Sequence, residues 1–112
     1  MAKSIMKGLI AGPRGDLLPT IPQGTRLVSV AVTDEGICTV DLSKELQRNH
    51  PGGTSSELMT VYSIVESLTS NIPKIHAVKI MVEGRSTETL AGHLYIGEPL
   101  RSQPKYVHRK RS

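Results

Sequence analysis

The stretch "RLVSVAVTDEGICTVDLS", residues 26–43, decides the fold because it predicts a β-hairpin. Apolar side chains alternate along both halves of the stretch: Val28, Val30 and Val32 in the first, and Cys38, Val40 and Leu42 in the second. Strict alternation is typical of strands with one buried face, and the intervening "TDEG" supplies turn residues. Leu27, Ala31 and Ile37 are expected on the opposite faces, so neither strand has a strongly polar second side.

Two helices are predicted around the hairpin. Residues 4–11, "SIMKGLIA", space their apolar side chains as a helix does, and "GPRG" then ends it. Further along, "TSSE" predicts a capping box with Thr54 as the N-cap and Glu57 three residues later. The helix that follows, over about residues 55–71, carries one apolar stripe: Leu58, Val61, Tyr62, Val65, Leu68, Thr69 and Ile72.

The remaining segments complete a small sheet. The run "AVKIMVEG", residues 77–84, predicts a third strand with Val78, Ile80 and Val82 pointing inward. "EGR" predicts a turn and "LYI" a brief further pairing. "KELQRNHPGG", after the hairpin, predicts a loop that begins with a helical turn. We therefore predict an α+β fold of αββαβ arrangement, with two helices packed on one face of a three- to four-stranded sheet.

Composition indicates one domain with an aliphatic core. The chain has 112 residues, a formal net charge of +4, three tyrosines, and neither tryptophan nor phenylalanine. Without aromatic platforms, stacking on bases or sugars is disfavoured. We predict a single domain over residues 1–100, and residues 101–112 as a basic, disordered tail that includes Lys105, Arg109, Lys110 and Arg111.

The residues show no pattern of catalytic or metal chemistry. The four histidines, His50, His76, His93 and His108, have no spacing typical of a metal site. No serine lies in a "GxSxG" elbow, and Cys38 alternates inward, as expected of an inert core thiol. We predict no catalytic residue, no metal and no cofactor, and hence a protein that is not an enzyme.

Six short motifs recur in an order that resembles the GerMN domain family of sporulation and spore germination. The motifs are "L..GP" ending at Pro13, "IP.GT.L" from Ile21, "G...VDLS" from Gly36, "IV.SLT" from Ile64, "V.I.V.G" from Val78, and "TL.GH" ending at His93. The resemblance spans roughly residues 5–100. Its structural signature in this chain consists of Gly12, Pro13, Pro22, Gly24, Asp41, Gly84, Gly92 and His93.

The resemblance implies an assembly domain and no catalytic residues. Domains of this kind are similar to ring-building modules, with the same αββαβ order, and they act outside the cytoplasmic membrane in the bacterial cell envelope. We therefore expect an extracytoplasmic protein that binds an envelope partner or associates with itself. Membrane contact is expected only through an anchor that this sequence does not contain.

Two alternatives remain open from the residues alone. A nucleic-acid-binding module would use the basic tail, and its affinity would fall steeply with salt. A module that binds cell-wall glycan (peptidoglycan) would be retained on wall material at high salt, although the lack of Trp and Phe counts against sugar stacking.

Overall fold

The computed structural model describes residues 2–11, 21–92 and 94–103. The elements in chain order are α1 Ala2–Ala11, β1 Leu27–Val32, β2 Ile37–Leu42, α2 Glu45–Arg48, α3 Thr54–Asn71, β3 Ala77–Val82 and β4 Arg85–Ser86. The predicted α+β class and the predicted order of helix, hairpin, helix and strand are confirmed. The short helix α2 is the helical turn predicted after the hairpin.

The strands form one mixed sheet in the order β1-β2-β3-β4. β1 is antiparallel to β2, β2 is parallel to β3, and β4 is antiparallel to β3. Parallel neighbours cannot be joined by a tight turn, so the chain must cross from the end of β2 back to the start of β3. Helix α3 is that crossover, and it packs with α1 on one face of the sheet.

The hairpin turn forms where "TDEG" predicted it. The amide of Gly36 donates to the carbonyl of Thr33 at 3.0 Å, and the amide of Thr33 donates to the carbonyl of Ile37 at 2.9 Å. Gly36 has a φ of +90°, a conformation that suits glycine. Its carbonyl accepts the amide of His76 at 2.8 Å, so the turn also positions the entry to β3.

The predicted alternation of β1 is wrong at its start. Leu27 pairs with Leu42 and Ser29 pairs with Asp41, which leaves Val28 as the extra residue of a β-bulge. The bulge moves Leu27 to the same face as the core residue Leu42, whereas Val28 is 53% exposed. Val30 pairs with the buried Val40 as expected, but it lies on an edge strand and is only half-buried.

The core is aliphatic, as the composition predicts. The inward residues Val78 and Ile80 of β3 are fully buried, and Val82 is nearly so. Helix α1 contributes Met6, which is also fully buried. The stripe predicted on α3 is confirmed, and it is wider than expected because Thr60 and Ile64 are buried as well.

The capping box predicted for α3 is wrong. Gly53 is the N-cap residue and has no side chain to cap the helix, while Thr54 is the first helical residue. The carboxylate of Glu57 is fully buried and accepts hydrogen bonds from a distant loop instead. Hydrogen bonds from these amides offset the cost of burying the carboxylate. Glu57 therefore binds the loop and does not cap the helix.

The turn at Gly36 is expected to be intolerant of any side chain. A Cβ atom there would lie 2.5 Å from the carbonyl oxygen of Lys74. Gly52 provides the matched control, because its φ is +83° and a Cβ atom would meet nothing within 4 Å. Gly52→Ala should cost about 1–2 kcal/mol from the backbone conformation alone. Gly36→Ala should cost about 1–3 kcal/mol more, from the steric clash.

Urea unfolding of the two alanine variants measures this difference. Equal losses in the free energy of unfolding would contradict the close contact between the hairpin turn and the entry to β3.

Candidate interaction surface

Pro22 and Gly24, two of the signature residues, lie in a turn that packs against helix α2. The carbonyl of Pro22 accepts the hydroxyl of Thr25 at 2.7 Å, which closes the turn. Gly24 has a φ of +88°, and a Cβ atom there would lie 3.3 Å from the side chains of Glu45 and Asn49. The amide group of Asn49 donates to the carbonyl of Gln23 at 2.7 Å. Pro22 and Gly24 therefore have a structural role.

Asp41 and Gly84 come together at the turn between β3 and β4. The Oδ1 atom of Asp41 accepts the amide of Gly84 at 2.9 Å. Glu83 and Gly84 both have positive φ, at 51° and 76°, as a two-residue type I′ turn requires. The carboxylate of Glu83 accepts the amide of Lys44 at 2.8 Å. These two carboxylates thus connect the end of β2 to the turn that follows β3.

Gly92 lies in a loop that is hydrogen-bonded to side chains of two helices, α2 and α3. The Oε1 atom of Glu57 accepts the amides of Ala91 and Leu94, at 3.1 and 2.9 Å. The side-chain amide of Gln47 donates to the carbonyls of Thr89 and Leu90, each at 3.0 Å. A carboxylate thus binds two N–H groups of the loop, and a side-chain amide binds two of its carbonyls.

Three of the predicted signature residues lie outside the described residues: Gly12, Pro13 and His93. Most of the predicted basic tail does too, because the described residues end at 103. Just before that point, the hydroxyl of Ser102 donates to the carboxylate of Glu66 on α3. The predicted division into a domain of residues 1–100 and a tail of residues 101–112 stays a prediction.

His50 connects the loop before α3 to the helix itself through a chain of hydrogen bonds. The amide of Gly52 donates to Nδ1 of His50 at 2.9 Å, so the ring proton is on Nε2. That nitrogen lies 2.8 Å from the hydroxyl of Thr60, which donates to the carbonyl of Ser56 at 3.0 Å. Desolvation by burial lowers the pKa of His50, against smaller opposing effects of Glu57 and the Ser56 backbone. The neutral ring is the form that fits.

The described residues offer no convergent reactive groups. Burial raises the pKa of the Cys38 thiol to about 11, so it stays protonated at neutral pH. Within the described ranges, no three His, Cys, Asp or Glu side chains come close enough to share a metal ion. In the same part of the chain, no helix combines the length and the apolar character that crossing a membrane requires.

Among the described residues, the edge of the sheet that no other strand covers is that of β1. β1 ends the sheet on one side, whereas the outer edge of β3 is covered by β4 and by Leu100, which exchanges two backbone hydrogen bonds with Val78. No backbone hydrogen bond among the described residues reaches the outer edge of β1. Val28 and Val32 on this strand are 53% and 38% exposed.

A groove runs between β1 and α1. It has a volume of about 340 Å³. Residues 27–30 line one wall, and Lys3 and Lys7 line the other. Both lysines are exposed, and they stand one helical turn apart. We define the edge interface as the outer edge of β1 together with this lysine-lined groove.

Neither the edge interface nor the internal hydrogen bonds of Glu57, Gln47 and His50 were predicted from the sequence. A signal was present for Glu57, because it lies four residues before Val61 on the apolar face of α3. No comparable signal marks the groove, which depends on how α1 packs against β1.

Comparison with known proteins assigns the family. The profile of the Germane family, described as sporulation and spore germination, matches residues 1–88. This chain therefore belongs to that family of sporulation and spore-germination domains. The resemblance to GerMN domains expected from the motifs is confirmed. No curated protein matches the chain.

Three solved structures share the fold. A "putative lipoprotein" from Clostridium perfringens is 28% identical with a TM-score of 0.82, covering 92% of this chain and 68% of that one. The first GerMN domain of the sporulation protein GerM from Bacillus subtilis is 24% identical with a TM-score of 0.70, covering 89% and 77%. The tandem GerMN domains of the same protein give 21% and 0.63, covering 74% of this chain and 28% of that one. At these lower identities, the two GerM comparisons show the fold alone.

The network at His50 predicts a loss of stability in acid. Because the folded-state pKa lies below the ordinary value of about 6.5, the unfolded chain binds the proton first as pH falls. The free energy of unfolding should be fully maintained above about pH 7 and should fall as pH drops through the lowered pKa.

Urea unfolding at a series of pH values tests this, with His50→Gln expected to flatten the slope. His76→Gln, at an exposed histidine, is the control and should keep the slope of the unmodified chain. If His50→Gln retained the full slope, the acid sensitivity would have another origin.

Proposed function

We propose that this chain is a non-catalytic protein–protein assembly domain that acts outside the cytoplasmic membrane, in the bacterial cell envelope. The observation that carries the proposal is the edge interface. Among the described residues the outer edge of β1 has no backbone partner, and such an edge with exposed valines is a template for pairing with another chain. The partner in this proposal is another protein of the envelope or a second copy of this chain.

A non-catalytic role is supported by the hydrogen-bond partners of four buried or half-buried polar side chains. Asp41 binds the β3–β4 turn, Glu57 and Gln47 bind the loop around Gly92, and His50 binds the start of α3. Each of these side chains bonds to backbone groups of the same domain. Such pairing indicates a role in holding the fold together, because a catalytic group needs a position from which it can reach substrate.

The proposed location is supported by the family and by one similar structure. The family is one of sporulation and spore germination, and the similar protein from Clostridium perfringens is described as a "putative lipoprotein". A lipoprotein is held at a membrane surface by its lipid, which leaves its folded domain free to bind other proteins. By analogy we assign this domain to the same side of the membrane.

Cross-linking in intact cells tests location and assembly together. Ser29→Cys introduces a thiol on exposed β1, and Ser70→Cys introduces one on the exposed side of α3. The unmodified chain is the blank, since Cys38 is fully buried. Each variant is treated in intact cells with a membrane-impermeant, thiol-reactive photo-cross-linker, because a thiol-to-lysine reagent would join residue 29 to Lys3 or Lys7 of the same chain. We expect both introduced thiols to react, and only Ser29→Cys to give a discrete product of higher mass.

Two results would contradict the proposal, each in a different part. Reaction of both thiols only after lysis would contradict the location. Reaction in intact cells without any discrete product from Ser29→Cys would contradict assembly through the edge interface.

A further inference from the structure

We propose that the edge interface binds an extended, acidic segment of a partner protein, which adds to the sheet as a strand beside β1 and places its carboxylates against Lys3 and Lys7. This inference rests on the proposed function and deepens it by specifying the chemistry of the partner. Strand addition of this kind takes its affinity from main-chain hydrogen bonds and its specificity from the side chains along one face.

The hydrogen-bonding groups of β1 alternate between the sheet and the outer edge. The bond from the Thr33 amide to the Ile37 carbonyl sets the register at the turn. From that pair, alternation directs the N–H and C=O groups of Ser29 and Ala31 toward β2. The same groups of Val30 and Val32 point away from the sheet. A partner strand would therefore meet at least two residues whose backbone groups bond to no other residue in the part of the chain that the structure describes.

The side chains of β1 leave this edge accessible. Folded proteins commonly protect edge strands with lysine, proline or a covering segment. β1 reads "LVSVAV", without a charge or a proline, and only the bulge at Val28 interrupts it. Ser29 and Ala31 are small and exposed, so they leave room for the side chains of an added strand.

The charge beside the edge determines which strand fits. Lys3 and Lys7 form the wall of the groove opposite residues 27–30. They are separated by about 6 Å along the helix, at 1.5 Å per residue. Side chains on the same face of a strand recur every second residue, at about 6.6–6.8 Å. Acidic residues at alternate positions of an added strand therefore match the spacing of the two lysines.

The same lysines argue against a second copy of this chain as the occupant. Antiparallel pairing of β1 with itself has its two-fold axis perpendicular to the sheet, so both α1 helices would lie on the same face near the junction. Lys3 and Lys7 of both copies would then meet in one groove, where like charges repel. An acidic strand would instead place opposite charges beside Lys3 and Lys7.

A designed peptide tests the proposal directly. The probe is a short, end-capped peptide in which threonine and glutamate alternate, and the chain is followed by its amide NMR signals. We expect the amides of Val30 and Val32 to shift most on titration. Affinity should fall as salt rises from about 50 mM to about 300 mM, because the ion pairs are exposed.

Two controls separate strand addition from charge attraction. The first is a peptide of the same sequence with alternate backbone amides methylated, which keeps the charge and removes the donors. It should not bind. The second is the double variant Lys3→Gln/Lys7→Gln, which should weaken binding of the unmethylated peptide about fivefold. Lys74→Gln, at an exposed lysine after α3, should leave binding unchanged.

Three results would overturn the inference. Shifts that persist with the methylated peptide would reduce the effect to charge attraction. No shift at Val30 and Val32 would show that an acidic strand does not bind there. A peptide-free dimer by light scattering, with these two amides protected, would make a second copy the occupant. If the peptide fails while Ser29→Cys still cross-links in cells, assembly stands and only the acidic chemistry is wrong.

Discussion

The parallel pairing of β2 with β3 is the constraint on which the rest of this structure depends. Six consecutive residue pairs, from Ile37 with Ala77 to Leu42 with Val82, form this pairing. It requires a crossover, and α3 supplies it by packing across the inward residues of β3. With β2 and β3 at the centre, only two edges remain. β4 and Leu100 cover one of them, and within residues 2–11, 21–92 and 94–103 no strand covers the other, β1.

The buried carboxylates show how a small aliphatic core tolerates polar groups. Asp41 and Glu57 are almost or fully inaccessible, yet both accept backbone amides from segments about 34 to 43 residues away in sequence. Such bonds connect distant parts of the chain and satisfy groups that would otherwise be costly to bury. The signature residues Asp41, Gly84 and Gly92 belong to these connections. In this chain these residues therefore lie where distant segments are joined by hydrogen bonds.

Regular elements could be predicted from the sequence because their periodicity is local. The alternation of Val78, Ile80 and Val82 identified β3, and the stripe beginning at Leu58 identified α3. The predictions were wrong where contacts with another segment decide what a residue does. Glu57 has the spacing of a capping box but binds the loop at Ala91, and Val28 continues an apolar alternation but forms a bulge. Neither outcome can be read from neighbouring residues alone.

The site was harder to predict than the fold, for a physical reason. Lys3 and Lys7 have the pattern of ordinary solvent-exposed lysines in the sequence, and they line the groove only because α1 lies beside β1. An open strand edge is likewise a property of the whole sheet. The valines of β1 predicted a strand correctly, but whether that strand was central or peripheral depended on the position of β3.

Amide hydrogen exchange along β1 in the free protein tests the open edge most directly. Neighbouring residues of one strand are compared, so the internal control is built in. We expect the amides of Val30 and Val32 to exchange rapidly, while the amide of Ala31, directed toward β2, is protected. Equal protection of all three amides would show that the edge is already covered and would contradict its proposed role as a binding surface.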